Sequence, residues 1–128
     1  MKSVQALTDP GRLLIMFDVA LEKNILIDDN NVDSYVYLLG ANGVQFGYSF
    51  VFHPLPYSED LRKDLTGLQM AGYLTRASIT ITPKGREYVR QSILPEYDEL
   101  LDRIRRYLQD FSLLDRTELF KAVYARIV

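Results

Sequence analysis

Cysteine is absent from this 128-residue chain, and histidine occurs once, as His53. Without cysteine there is no disulfide framework, no thiolate metal site and no Cys nucleophile, and a reducing compartment suits the chain. A structural or catalytic metal needs several ligands, and no His/Cys cluster surrounds His53. As a catalytic base, His53 would need a nucleophile and an orienting partner; Ser49 and Ser58 lie near in sequence but read as a strand residue and a helix cap. No run approaches the roughly 20 apolar residues of a membrane span, and residues 1–8 lack the apolar stretch of a secretory signal. A cytoplasmic chain is the expectation. Gly40, Gly43 and Gly47 read as turn or strand-start glycines, so no phosphate-cradling loop is present. The sequence therefore predicts no enzyme and no cofactor.

An excess of positive charge is also missing. Fifteen Lys and Arg face 17 Asp and Glu, for a formal charge of −2. Proteins that live on phosphate contacts are usually basic on at least one face. The 48% hydrophobic content can supply a core, and the length suits one domain spanning 1–128.

Residues 1–8 read as a loose lead. Thr8 or Asp9 can cap a helix that carries Pro10 in its first turn and Leu13, Leu14, Met16, Phe17, Ala20 and Leu21 on one wide apolar face. Ile25 to Ile27 reads as a short apolar link. Asp28 to Asn31 is a capping cluster, followed by a helix that buries Val32, Tyr35, Val36, Leu38 and Leu39 and stops between Gly40 and Gly43. Phe46, Tyr48, Phe50 and Phe52 alternate with Gly47, Ser49 and Val51, which predicts a strand with one buried face. His53-Pro54-Leu55-Pro56 ends it. Ser58 then caps a helix with Glu59 and Asp60 in its first turn, burying Leu61, Leu65, Leu68 and Ala71 and ending at Gly72.

Leu74–Arg76 and Ile79–Thr82 read as two short strands around Ala77-Ser78, a small wing. Thr82 and Pro83 open another helix with Tyr88, Val89 and Ile93 as its apolar residues. Pro95 starts a longer helix with Tyr97, Leu100, Leu101, Ile104, Tyr107, Leu108 and Phe111. Residues 112–115 break it. A last helix over 117–127 carries a stripe of Phe120, Val123, Tyr124 and Ile127, with Leu119 to its side. The order strand, turn, helix, hairpin, helix is that of a winged helix-turn-helix. The predicted class is α+β, mainly α, with a core over about 9–93 and a helical extension over about 94–128.

The run YSFVFHPLPYSEDLRKDLTGLQMAGYL resembles a pattern in YwgA-like and SocA-like (Panacea-type) winged-helix proteins. There an aromatic strand leads through a turn to Tyr-Ser, an acidic helix start and a Leu-rich helix. ITITPKGREYV is similar to the element after the wing in many winged helices, and ELFKAVYARIV to the terminal helix of the group. The resemblance covers roughly residues 12–127. It departs at His53 to Pro56, where a Tyr-Gly-Pro-like turn is more usual. It implies antitoxins or proteolytic adaptors of toxin-antitoxin pairs, small middle subunits of three-component defence systems with an SMC-like ATPase (the Lamassu type), or transcription regulators.

Two uses of this fold remain open at the level of sequence. A dimeric DNA-binding regulator would place Arg62, Lys63 and Gln69 of the 58–73 helix in a major groove, with Arg76, Lys84 and Arg86 at the backbone. Glu59, Asp60 and Asp64 on that helix would then face phosphates. A non-catalytic adaptor would instead dock a protein: an SMC-like ATPase, nuclease or toxin from the same operon, or a second copy. Tyr57, Tyr97, Phe120 and Tyr124 are interface-type residues for that use, with Arg103 and Arg106 in the most basic patch. The acids on the 58–73 helix favour the adaptor.

Overall fold

The computed structural model describes residues 7–52, 55–93 and 97–127. His53, Pro54, Pro95 and the 1–6 lead lie outside them. Helix α1 spans Asp9–Glu22, α2 Val32–Ala41, α3 Glu59–Met70, α4 Pro83–Tyr88, α5 Asp98–Ser112 and α6 Arg116–Ile127. A π-helical turn over Val89–Ile93 prolongs α4. Strands β1 (Val51–Phe52) and β2 (Pro56–Tyr57) form a two-stranded antiparallel sheet, pairing Val51 with Tyr57 and Phe52 with Pro56. The class is α+β, mainly α.

Helix α1 is the centre of the core. Between Gly11 and Ala20 every residue but Arg12 is buried. A helix apolar on all sides has neighbours on all sides, and α1 packs on α3, α4, the π-helical turn and α5. The sequence showed only one wide face because Asp18 interrupts the run; Leu21, placed on that face, is 38% exposed. The Thr8 hydroxyl accepts from the Gly11 N–H at 3.3 Å and starts the helix. On α2, Val32, Tyr35, Val36, Leu38 and Leu39 are buried as the spacing predicts.

Helices α1, α2 and α3 end in the same closure. A residue with positive φ follows each cap: Asn24 (55°), Gly43 (96°) and Gly72 (85°). The next N–H then reaches five residues back, from Ile25 to Ala20 O, Val44 to Leu39 O and Tyr73 to Leu68 O, at 2.8–2.9 Å. This is the Schellman arrangement, with an apolar residue just beyond the turn.

The β-structure is smaller than the sequence suggests. Phe46 to Phe52 does alternate half-buried and exposed, but only Val51–Phe52 enters a ladder. Its partner is the Pro56–Tyr57 segment, read from sequence as a break. Pro56 lacks an N–H, which limits the ladder's growth. Upstream, the Gly47 N–H donates to the Asp9 carboxylate at 3.0 and 3.1 Å. Tyr37 of α2 holds this segment edge-on to Phe50 and Phe52, with ring centroids 5.5 and 5.2 Å apart. The expected wing strands reduce to one antiparallel bridge, Leu74 to Ile81. It is flanked by Thr75 N–H to Thr80 O at 2.8 Å and Thr82 N–H to Tyr73 O at 3.0 Å. The tip prefers its own side chains: the Thr75 hydroxyl donates to Ser78 O and accepts from the Thr80 N–H. The bridge and the β1–β2 hairpin stay separate, so no three-stranded sheet forms among the described residues.

Ser58 caps α3 through the Leu61 N–H at 3.3 Å, and Leu61, Leu65 and Leu68 are buried. Ala71 is exposed, contrary to expectation, because the helix ends there and turns away. On α6, Leu119 and Val123 are the residues that enter the core. Phe120 is half-buried and stacks on Tyr124, which is 53% exposed. The buried stripe is therefore turned from the one the spacing suggested.

Gly85 records how closely α4 approaches the turn after α3. A Cβ there would lie 2.4 Å from the Tyr73 carbonyl oxygen and 2.7 Å from Ile81 Cγ1. Gly67, midway along α3, has open space around that position. Gly85→Ala is therefore expected to lower unfolding stability by about 1–3 kcal/mol. Gly67→Ala is expected to raise it by about 1 kcal/mol, through helix propensity. Urea unfolding of the two variants measures both.

Candidate functional site

The candidate surface is the outer side of α3 with the 74–81 turn beside it. Three of the five cations expected to act there, Arg62, Lys84 and Arg86, are engaged by partners within the protein. Arg62 donates to Asp29 Oδ1 and to the Asp29 carbonyl oxygen, each at 2.9 Å, and forms an ion pair with Asp33. Its guanidinium also lies 5.5 Å from the centre of the Tyr57 ring. Arg86 donates to Asp18 Oδ1 at 2.9 Å, answering a carboxylate that is 3% exposed on the central helix. Lys84 reaches the Ala71 carbonyl at 2.9 Å and lies 5.1 Å from the Tyr73 ring centre, so it neutralises the C-terminal end of α3. Gln69 donates to the Thr75 carbonyl at 2.9 Å, tying α3 to the turn.

Lys63 and Arg76 are exposed, as Lys84 is, and they have no ion pair or side-chain hydrogen bond among the described residues. The acids sort in the same way. Asp64 accepts from the Tyr48 hydroxyl at 2.6 Å and does not project freely. Burial, and then that hydrogen bond, push the Tyr48 phenol far above its ordinary value, so it remains a donor. Glu59 and Asp60 stay exposed. The accessible side of α3 thus presents Glu59, Asp60, Lys63, Thr66 and a Met70 that is 72% exposed.

Asp33 is the pivot behind this surface. It is 4% exposed, accepts from the Ser58 N–H at 2.9 Å and pairs with Arg62. One carboxylate of α2 therefore fixes both the start of α3 and its first cation. Burial raises the Asp33 pKa above the ordinary carboxylate value, against the opposing pull of the Ser58 N–H and Arg62. For the Asp33 carboxyl, desolvation is the larger influence. Sequence reasoning missed Asp33 and Asp18. The available signal was an acid lodged within a buried apolar helix, where only a partner makes it tolerable.

The other interface candidates belong to other elements. Tyr57 is 45% exposed beside Val51 on the hairpin. Tyr97 is half-buried at the start of α5. Arg103 pairs loosely with Glu99 at 3.4 Å, and Arg106 is exposed. Among the described residues no group of acids or histidine has the makings of a metal site, and no helix is long and apolar enough to cross a membrane. No family model matches the chain, and neither does any curated protein or solved structure.

Arg62→Ala leaves Asp33 buried without its cation and is expected to cost about 2–4 kcal/mol of stability at neutral pH. Because the folded pKa of Asp33 is raised, the native state binds more protons than the unfolded one between the ordinary value and the raised one. This group's contribution therefore falls as pH rises through that window. The cost of Arg62→Ala shrinks on acidification as Asp33 takes a proton. Lys63→Ala and Arg76→Ala should remain within about 0.5 kcal/mol of the parent. Thermal unfolding of the variants and the parent, followed from neutral to acid pH, gives the comparison.

Proposed function

We propose that the protein is a non-catalytic winged-helix adaptor, an accessory subunit of a prokaryotic multiprotein complex. By the resemblance described above, the complex is an anti-phage defence assembly with an SMC-like ATPase, or a toxin-antitoxin-like pair. The observation that carries this reading is the engagement of Arg62, Gln69 and Arg86 within the fold, with Lys84 bonded to the end of α3. A helix that reads DNA needs its cations and amides free to reach base edges and phosphates. Here they hold the fold, and the face left over mixes two acids, Lys63, Arg76 of the turn and an exposed methionine. Such a surface suits a protein partner, for which apolar contact ringed by charge provides both affinity and register.

The partner would meet the α3 face and the 74–81 turn, with Tyr57 and Val51 of the hairpin and the C-terminal helices as further contact. Co-expression with the neighbouring operon genes is expected to yield a stable complex. Met70→Glu together with Lys63→Glu should weaken that complex at least about tenfold without lowering the melting temperature, since neither side chain is buried. DNA titrations across a salt series should show weak, sequence-independent binding with a shallow slope. A steep slope with sequence preference, lost on charge reversal at Lys63 and Arg76, would establish a DNA-binding regulator instead.

A further inference from the structure

A cavity of about 320 Å³ lies at the junction of α2 and α6. Its apolar walls are Leu55, Leu119 and Phe120. Ser34, in the first turn of α2, is 2% exposed, and its side chain has no hydrogen-bond partner among the described residues. Buried hydroxyls are normally satisfied, so one left open onto a cavity marks a place for a ligand's polar atom. Arg116, at the start of α6, also lines the cavity and has no ion pair among the described residues.

The nearby acids are committed elsewhere. Asp28 Oδ1 accepts from the Asn30 and Asn31 N–H groups at 2.9 and 3.2 Å. Asp29 pairs with Arg62. Asp115 and Glu118 cap α6 reciprocally, with Glu118 accepting from the Asp115 N–H at 3.1 Å and Asp115 from the Glu118 N–H at 2.8 Å. Asn31 stands at the N-cap of α2 but gives the helix no side-chain cap. Its amide is engaged with Leu26 O and the Asp28 N–H. The start of α2 borders the cavity, with Asp28 on its turn and no side-chain cap from Asn31.

We infer that this cavity binds a small carboxylic acid: a monoanion on an apolar body, the carboxylate meeting Arg116 and the Ser34 hydroxyl, the body seated on Leu55, Leu119 and Phe120. The charge balance selects the class. Among the described residues that line the cavity, Arg116 is the one cation and Asp28 the one acid. A monoanion fits that balance, and a phosphate dianion beside Asp28 does not. The volume lies at the small end of ligand pockets. The inference stands apart from the docking reading, although Phe120 borders both surfaces. Ligand binding by the isolated chain tests it without any partner protein.

The test uses the full chain, labelled with ¹⁵N and titrated with 4-phenylbutyrate, 4-phenylbutanol or phenyl phosphate. The acid is expected to shift the amide signals of Asp33, Ser34 and Thr117, and the alcohol to leave them in place. Arg116→Gln should weaken the acid about tenfold, the loss expected for a charged hydrogen bond. Ser34→Ala should weaken it about threefold on the same scale. Neither change removes an internal bond, so both variants should melt with the parent, and a melting check confirms that a lost signal is lost binding. Absent shifts, equal binding of acid and alcohol, or an Arg116→Gln variant that binds as the parent does would overturn the site. Tighter binding of phenyl phosphate would overturn the carboxylate assignment. A peptide, acetyl-Gly-Gly-Phe with a free carboxyl terminus, separates a free acid from a protein terminus. It should bind more weakly than phenylbutyrate, and tighter binding would overturn the free acid as the source.

Discussion

The Asp33–Arg62 pair governs the arrangement of this fold more than any other polar interaction. Asp33 is buried on α2 and reaches across to the start of α3, where it accepts the Ser58 N–H and meets Arg62. Arg62 in turn reaches back to Asp29 in the loop before α2 and lies over Tyr57 of β2. Four segments are registered against one another by two side chains. The raised pKa of Asp33 says that the arrangement is held against a desolvation penalty. A hydrophobic pair of similar shape would not set the start of α3 so sharply, because apolar contact lacks direction.

A second pair repeats the device between α1 and α4. Asp18 on the central helix draws in Arg86 of α4. Both pairs take cations from what would be a nucleic-acid face and turn them into internal ties. The electrostatic character of the α3 surface is thus decided inside the molecule. A count of charges along α3 finds one Arg and one Lys against three acids, yet the structure removes Arg62 and Asp64 from that count together. The surface that remains is less charged than the sequence suggests and more apolar, since Met70 stands open.

Local signals in the chain were legible. Thr8, Ser58 and Thr82 cap helices where their positions predict, and Gly43 and Gly72 adopt the positive φ that a helix end demands. The buried positions of α2 and α3 followed from helical spacing. What escaped depends on chain segments far apart in sequence. Arg62 and Asp33 are 29 residues apart, and Arg86 and Asp18 are 68 apart. Nothing near either residue announces its partner. The wing was over-read because Ile79, Thr80 and Ile81 favour strands by composition. Strand propensity needs a neighbouring strand to satisfy it, and the Thr75, Ser78 and Thr80 hydroxyls offered the backbone an alternative.

The root of that turn differs from its tip. At the root, Thr82 donates to the Gly72 carbonyl at 2.6 Å and Lys84 to the Ala71 carbonyl at 2.9 Å, while Gly85 lets α4 press against Tyr73. At the tip, Arg76, Ala77 and Ser78 are all exposed. The turn is therefore a lever clamped at one end. Force applied at its tip passes to the end of α3 and the start of α4 together. The tip itself is free to vary in length and composition, as loop tips generally are. A lineage could retune what this lever touches while leaving its mounting unchanged.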